Sequence, residues 1–221
     1  MNRILNAAKL DFYAGKSMIE MTAILTIIAV VIGVASHGPA YAMMFMMVFG
    51  VTSSGSVFSV HEKNRSDKLY GILPLKKNEM IAGRYLYALI IGAAYIVAAG
   101  ILGAVMWKIM GANADLNSLG YWATIGVGFT YYSFAVGIAY PIYFKFTFTK
   151  AYVFTMIPMY LIAVLFLILT KRTNLTSDIA QIVKFFTNHV YLAPIFGIAG
   201  GLVLIAISAL IANLIYTRKE I

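Results

Sequence analysis

Residues 85–107 read YLYALIIGAAYIVAAGILGAVMW and contain no charged side chain. A helix needs about 20 consecutive apolar residues to cross the hydrocarbon core of a bilayer. Hydrophobic residues make up 62% of the 221 residues and charged residues 11%. Soluble domains carry about 25% charged residues, because they must keep a wetted surface. The quoted stretch therefore predicts a transmembrane helix, and the composition predicts that the whole chain is an all-α integral membrane protein.

Five further runs have the same apolar character and a spanning length. The six predicted spans are Met18–Ala35, Tyr41–Val60, Tyr85–Trp107, Leu119–Pro141, Ala151–Thr170 and Val190–Tyr216. We therefore expect residues 18–221 to form one six-helix transmembrane domain.

Residues 1–17, before the first span, have the pattern of an amphipathic helix. Polar side chains recur at helical spacing on one side, namely Asn2, Asn6, Lys9, Tyr13 and Lys16. Apolar side chains gather on the other, namely Ile4, Leu5, Ala8 and Phe12, and Asp11 near the boundary weakens the contrast. The pattern predicts a helix in the headgroup plane, and the alternative is a frayed polar terminus.

The distribution of basic residues predicts the orientation in the membrane. With the first residues inside, thirteen Lys and Arg fall in cytoplasmic segments and four fall outside. Cytoplasmic loops carry an excess of Lys and Arg. We therefore expect a multi-pass plasma-membrane protein with both termini in the cytoplasm. The same bias accounts for the net charge of +9, so we expect no nucleic-acid partner.

The sequence lacks the motifs of several kinds of chemistry. It has no cysteine, and Gly15-Lys16-Ser17 matches only the tail of a phosphate-binding loop. The three histidines lie near predicted membrane boundaries without a second metal ligand at the required spacing. We therefore expect no catalytic, metal or cofactor site in this chain. Glu20, near the start of the first span, is the one acid within the predicted spans. Ion-coupled carriers usually have titrating side chains inside the membrane. If the chain transports a solute, transport must therefore be passive or take its energy from another protein.

Hydroxyl side chains cluster within the second and fourth predicted spans. The candidate residues of a translocation path are Thr52, Ser53, Ser56, Thr130, Tyr131 and Tyr132. The alternative is structural, because hydroxyls also bond to their own helix or to a neighbouring helix. In the sixth span, Gly197 and Gly201 form a small-residue pair, which suits packing within the subunit or dimerisation equally well.

Residues 61–84, the longest cytoplasmic segment, read HEKNRSDKLYGILPLKKNEMIAGR. The sequence predicts a short helix that Ser66 or Asn64 caps and that Pro74 ends. Asn78 is predicted to cap the next helix, which continues into the third span. The segment has more apolar residues than a solvated loop needs. It is interpreted as a docking surface for a cytoplasmic partner or as a helix resting on the membrane.

The order of residues in this segment resembles that of the ABC-2 type permeases, the membrane subunits of ATP-driven exporters. The matching elements are Glu62-Lys63-Asn64, Asp67-Lys68-Leu69, Leu73-Pro74, Lys76-Lys77, Glu79 and Gly83-Arg84-Tyr85-Leu86. More narrowly, it resembles the short permeases associated with bacteriocin immunity and phenol-soluble-modulin export in Gram-positive bacteria.

The resemblance implies a type V exporter-like fold, with an interfacial helix followed by six spans. It also implies a homodimer that works with two ATPase subunits, which bind ATP and Mg²⁺, and a coupling helix at Arg65–Leu73 within the coupling segment 61–84. On this chain the residues at the ATPase groove would be Arg65, Asp67, Lys68, Leu69, Tyr70 and Leu73.

The resemblance and the uncharged spans together predict export of amphipathic or antimicrobial-type peptides. The alternatives are a passive channel or ion-coupled carrier for hydrophobic solutes, or an exporter of lipids or drugs.

Overall fold

The computed structural model describes residues 2–36, 38–64, 76–109, 119–155, 185–186 and 188–217. Six long helices lie within these ranges, namely α1 (Asn2–Ala14), α2 (Lys16–Ala35), α3 (Pro39–Lys63), α4 (Lys77–Ile109), α5 (Leu119–Lys145) and α6 (Leu192–Thr217). Residues 148–155 are helical as well. Because the described residues contain no strand, the all-α fold class is confirmed for this part of the chain.

Four stretches are long and apolar enough to cross a membrane: Pro39–Lys63, Asn78–Ile109, Gly120–Lys145 and Leu192–Tyr216. They correspond to the predicted second, third, fourth and sixth spans, and they confirm a multi-pass membrane protein. Helix α2 covers the predicted first span, and its apolar part, Met21–Ala35, is shorter than the other four stretches.

The six-span count and the headgroup position of α1 stay predictions. Residues 156–170 of the predicted fifth span lie outside the described residues. Residues 2–14 do form a helix, as the amphipathic pattern requires.

Helix α3 lies at the centre of the described bundle. It contacts α2, α4 and α5. Of the 18-residue apolar stretch of α3, 61% is buried, against 22% of the corresponding stretch of α6. The outward faces of the surrounding helices are apolar, as Ile27 of α2, Val97 of α4 and Leu210 of α6 illustrate. An exterior of this composition suits lipid rather than water.

Helix α5 continues through Pro141 to Lys145, whereas the sequence predicted the span to end at the proline. A proline has no N–H to donate to the carbonyl four residues earlier, which here belongs to Gly137. The hydroxyl of Ser208 on α6 donates to that Gly137 oxygen at 2.7 Å. The helix can therefore continue, because a side chain of a neighbouring helix satisfies the freed carbonyl.

Helices α5 and α6 pack with their backbones in direct contact at paired glycines. A Cβ added to Gly197 would lie 2.5 Å from Gly126 Cα, and Thr130 Oγ1 donates to the Gly197 oxygen at 3.0 Å. A Cβ added to Gly201 would lie 2.6 Å from Ser133 Oγ. Both members of the Gly197 and Gly201 pair are therefore used for packing within the subunit.

The paired glycines predict opposite results for two neighbouring substitutions. Gly197→Ala should destabilise the protein by about 1–3 kcal/mol, because the new methyl group meets backbone that has no room to move. Gly200→Ala is the matched control, because a Cβ there would have no atom within 4 Å. It should be neutral or slightly stabilising, since alanine favours helix more than glycine does. Thermal unfolding in detergent tests this, and equal midpoints for the two variants would contradict the packing described.

Candidate functional site: the junction of the predicted coupling segment

The six predicted ATPase-contact residues lie outside the described residues, but both flanks of their segment are described. Helix α3 ends at Lys63, where the Asn64 N–H donates to the Val60 oxygen at 3.0 Å. Helix α4 begins at Lys77 and packs against α3. The two flanks therefore lie at the same end of the bundle. We call this region the segment junction and define it as His61, Glu62 and Arg84 with their contacts Asp11, Phe58, Phe144 and Thr149.

The start of α4 is fixed by Glu79 rather than by the predicted cap Asn78. The Lys76 N–H donates to Glu79 Oε2 at 2.9 Å, and the Glu79 N–H donates to the Lys76 oxygen at 2.9 Å. A glutamate three positions after the cap residue commonly reaches back in this way. Asn78 therefore lies inside the first turn, and the helix begins two residues earlier than predicted.

A buried pair of polar side chains joins α1 to the end of α3. His61 Nε2 lies 2.8 Å from Asp11 Oδ1, and the carboxylate accepts the hydrogen bond from the ring N–H. Asp11 is 1% exposed and His61 is 8% exposed. A carboxylate withdrawn so completely from water depends on its partner, since an uncompensated buried charge is costly. The pair therefore fixes α1 on α3 immediately before the predicted coupling segment.

Small residues bring α1 against α4 on the other flank. A Cβ added to Gly83 would lie 2.6 Å from Ala7 Cβ, so the two helices are in close contact there. The hydroxyl of Tyr87 fills the space beside Gly15, where α1 meets α2. Helix α1 thus contacts both helices that flank the segment.

Arg84 is buried among aromatic rings, two turns after the start of α4 at Lys77. Its guanidinium carbon lies 4.5 Å from the centroid of Phe58 on α3 and 5.3 Å from that of Phe144 on α5. A guanidinium cation is attracted to aromatic rings at such distances, and the attraction is stronger where water is excluded. Phe58 is one helical turn before His61, so the contact of Arg84 with Phe58 and the Asp11–His61 pair both lie in the last turns of α3.

A third contact at the junction connects α3 to the helical segment 148–155. Glu62 accepts hydrogen bonds from the Thr149 N–H and the Thr149 hydroxyl, each at 3.0 Å. The first N–H groups of a helix have no partner within the helix, and a carboxylate is favourable there. The end of α3 therefore contacts four other parts of the chain: α1, α4, α5 and segment 148–155.

The predicted path residues of α3 are divided among different contacts. Ser53 bonds to the Tyr95 hydroxyl at 2.7 Å, and Tyr95 also bonds to Thr22 of α2 at 2.9 Å. The Ser56 hydroxyl donates to the Ser53 oxygen at 2.7 Å, and Thr52 is exposed. Ser53 therefore serves packing among α2, α3 and α4 in this conformation, whereas Ser56 bonds to its own helix.

The predicted path residues of α5 are similarly engaged. Tyr132 is fully buried, and its hydroxyl donates to the Ala88 oxygen of α4 at 2.6 Å. The Thr130 hydroxyl lies 2.9 Å from the Gly126 oxygen and 3.0 Å from the Gly197 oxygen, so its single proton is shared between them. Tyr131 is half-buried. These bonds are of the kind expected from the structural alternative for the polar residues.

The described residues do not bring the six candidates into one cavity. One cavity of about 20 Å³ is lined by Ser53 with Phe12, Gly15, Thr22, Tyr87, Ile91 and Tyr95. Another of about 10 Å³ is lined by Thr52 with Val51, Ser54, Gly55, Val136, Ala139, Tyr140, Tyr143, Phe148 and Tyr152. Each has room for about one water molecule. The assignment of these residues to a translocation path stays a prediction.

The sequence did not identify Asp11 and His61 as partners. Asp11 counted as a residue that weakens an amphipathic pattern, and His61 counted as an interfacial histidine. The available signal was that Asp11 shares one side of α1 with the small residues Ala7 and Gly15, which is a packing surface. Among the described residues, no group of three His, Asp or Glu side chains is placed to hold a metal ion.

Comparison with known proteins identifies the family. No curated protein matches the chain, and no solved structure matches it. A family model described as "ABC-2 family transporter protein" matches residues 8–217. This match extends from the middle of α1 to the last turn of α6, so it includes the segment junction and the predicted coupling segment. The chain belongs to the ABC-2 family of transporter membrane proteins.

Proposed function

We propose that this ABC transporter permease is the membrane half of an ATP-driven exporter and that two copies work with two ATPase subunits. The match to the ABC-2 family over residues 8–217 carries the proposal. The sequence has no nucleotide-binding motif, so ATP and Mg²⁺ bind to the separate ATPase. In this assignment the chain is a transport subunit and not an enzyme.

The ATPase docks on residues 61–84, with Arg65, Asp67, Lys68, Leu69, Tyr70 and Leu73 in its groove. The segment junction supports this proposal, because both flanks of the segment are held by buried contacts. Exposed lysines also gather at this end of the bundle, including Lys9, Lys63, Lys76 and Lys150. Such an excess of basic residues favours the cytoplasmic side, where the ATPase is located.

The cargo that fits these residues best is an amphipathic peptide of the antimicrobial type. The polar side chains in the middle of α3 and α5 are hydroxyls, which would select neither an ion nor a small charged solute. An amphipathic peptide partitions into the bilayer through its apolar face before it meets a transporter. The narrower resemblance to peptide exporters supports the same choice, with lipids and hydrophobic drugs as the runner-up cargo.

The docking proposal predicts that Tyr70→Ala separates ATP hydrolysis from transport or releases the ATPase. Truncating an aromatic anchor at an interface can cost about 2 kcal/mol or more. Co-purification of the ATPase and cargo transported per ATP would be measured in reconstituted complexes. Tyr41→Ala is the matched control, since Tyr41 is exposed near the opposite end of α3. Wild-type coupling in both Tyr70→Ala and Leu69→Ala would remove the segment from the docking site.

The cargo proposal predicts that amphipathic peptides raise the ATPase rate of the reconstituted complex. Scrambled peptides of the same composition, which lack an apolar face, should raise it less, because they partition weakly into the bilayer. Phospholipids and hydrophobic drugs would be tested in the same assay. If only those compounds stimulate hydrolysis, and peptide challenge kills cells equally with or without the transporter, the peptide assignment is wrong.

A further inference from the structure

We propose that Asp11 is a positioning residue for ATPase coupling: by holding His61, it fixes the end of α3 from which the coupling segment starts. Arg84 does the same for the start of α4. A displacement of the coupling segment would then move α3 and α4 with it. If the ends of these helices were not fixed, they could shift locally and the helices would stay in place. This inference rests on the proposed function, since it assigns a role to the junction of the segment that docks the ATPase.

The first observation is that α1 contacts both flanks of the segment. Asp11 bonds to His61 on α3 at 2.8 Å, and Ala7 lies against Gly83 on α4. Both contacts are on the buried side of α1, and they are one helical turn apart. Helix α1 therefore spans the gap between α3 and α4 at the level where the chain leaves and re-enters the bundle.

The second observation is that the other flank is held by a geometrically specific contact. The Arg84 guanidinium carbon lies 4.5 Å from the Phe58 centroid and 5.3 Å from the Phe144 centroid, and the planes of these two rings are 85° apart, so the cation is enclosed from two directions. Because Phe58 and His61 are on the same helix and one turn apart, a shift of α3 would disturb both contacts at once. The two flanks are therefore held relative to each other and not only relative to the bundle.

Stability alone does not account for a polar pair at this position. Apolar residues of similar volume commonly pack as well as a buried charged pair or better. What the pair adds is a single geometry, since the hydrogen bond has a narrow range of distance and angle. A single geometry is useful where the orientation of α3 matters. That place is the end of α3, because the coupling segment starts there and is displaced by the ATPase in the proposed function.

The role of Asp11 can be tested by comparing three variants in the reconstituted complex of permease and ATPase. Asp11→Ala removes the bond, and we expect cargo transported per ATP to fall about fivefold or more while the complex still hydrolyses ATP. Asp11→Asn keeps an oxygen that accepts from His61 and should retain most of the coupling. The Asp11→Leu/His61→Leu double variant should be at least as stable as wild type and yet remain poorly coupled.

Lys9→Ala is the matched control, because Lys9 is exposed on the same helix and should not alter coupling. Wild-type coupling in Asp11→Ala would overturn the proposal. Restored coupling in the double leucine variant would also overturn it, because the pair would then serve packing alone. If Asp11→Ala does not insert, the double leucine variant and Asp11→Asn decide the question between them.

A second measurement uses the permease without the ATPase, so it does not depend on the proposed function. The chain has no cysteine, so a spin label on Asn64→Cys reports only on the end of α3. We expect the label to become more mobile when Asp11→Ala or the double leucine change is added, and to be unaffected by Lys9→Ala. Unchanged mobility in all of these variants would show that Asp11 does not hold this flank. By contrast, a wild-type complex without ATP-driven transport would contradict the proposed function only.

Discussion

The structure depends on the need to satisfy buried polar groups inside the protein, because the surrounding hydrocarbon offers no water. The tyrosines show how this is met. The Ser208 hydroxyl donates its single proton to the Gly137 oxygen at 2.7 Å. The Tyr85 hydroxyl, 2.6 Å from Ser208 Oγ, must therefore be the donor in the bond between the two hydroxyls. This relay joins α4, α6 and α5 and satisfies the carbonyl that Pro141 leaves free. Tyr95 joins α2, α3 and α4 in the same way.

The same constraint separates the two kinds of polar contact in the molecule. In the middle of the bundle the polar groups are uncharged hydroxyls, whose bonds to backbone and to one another bring helices together. At the end that carries residues 61–84, charged side chains are buried as well, and each has a specific partner. Asp11 bonds to His61, and the Arg84 guanidinium lies against the rings of Phe58 and Phe144. These partners fix the geometry of this end of the bundle, as the proposed coupling role requires.

Helix positions could be predicted from the sequence because they follow from local composition. The predicted spans Tyr41–Val60 and Val190–Tyr216 lie close to α3 (Pro39–Lys63) and α6 (Leu192–Thr217). Membership of the ABC-2 family was predicted from the motif at residues 61–86 and is confirmed, whereas the narrower peptide-exporter group stays a prediction.

The contacts between helices could not be predicted, because they join residues that are far apart in sequence. Asp11 on α1 and His61 on α3 are 50 residues apart in the sequence. No local sequence pattern indicates that their side chains are in contact. The continuation of α5 past Pro141 depends on Ser208, which is on a different helix. The Gly197 pair was recognised, but the sequence could not indicate whether its partner was Gly126 of the same chain or a second copy.

In the proposed function, this chain moves cargo only when a separate ATPase acts on it through the coupling segment. The most direct test is the flux of a fluorescent amphipathic peptide in proteoliposomes, with the purified chain alone and with the chain bound to its ATPase. We expect flux only in the complex with ATP and Mg²⁺, and none in the chain alone under a proton gradient. Gradient-driven flux through the chain alone would contradict the account.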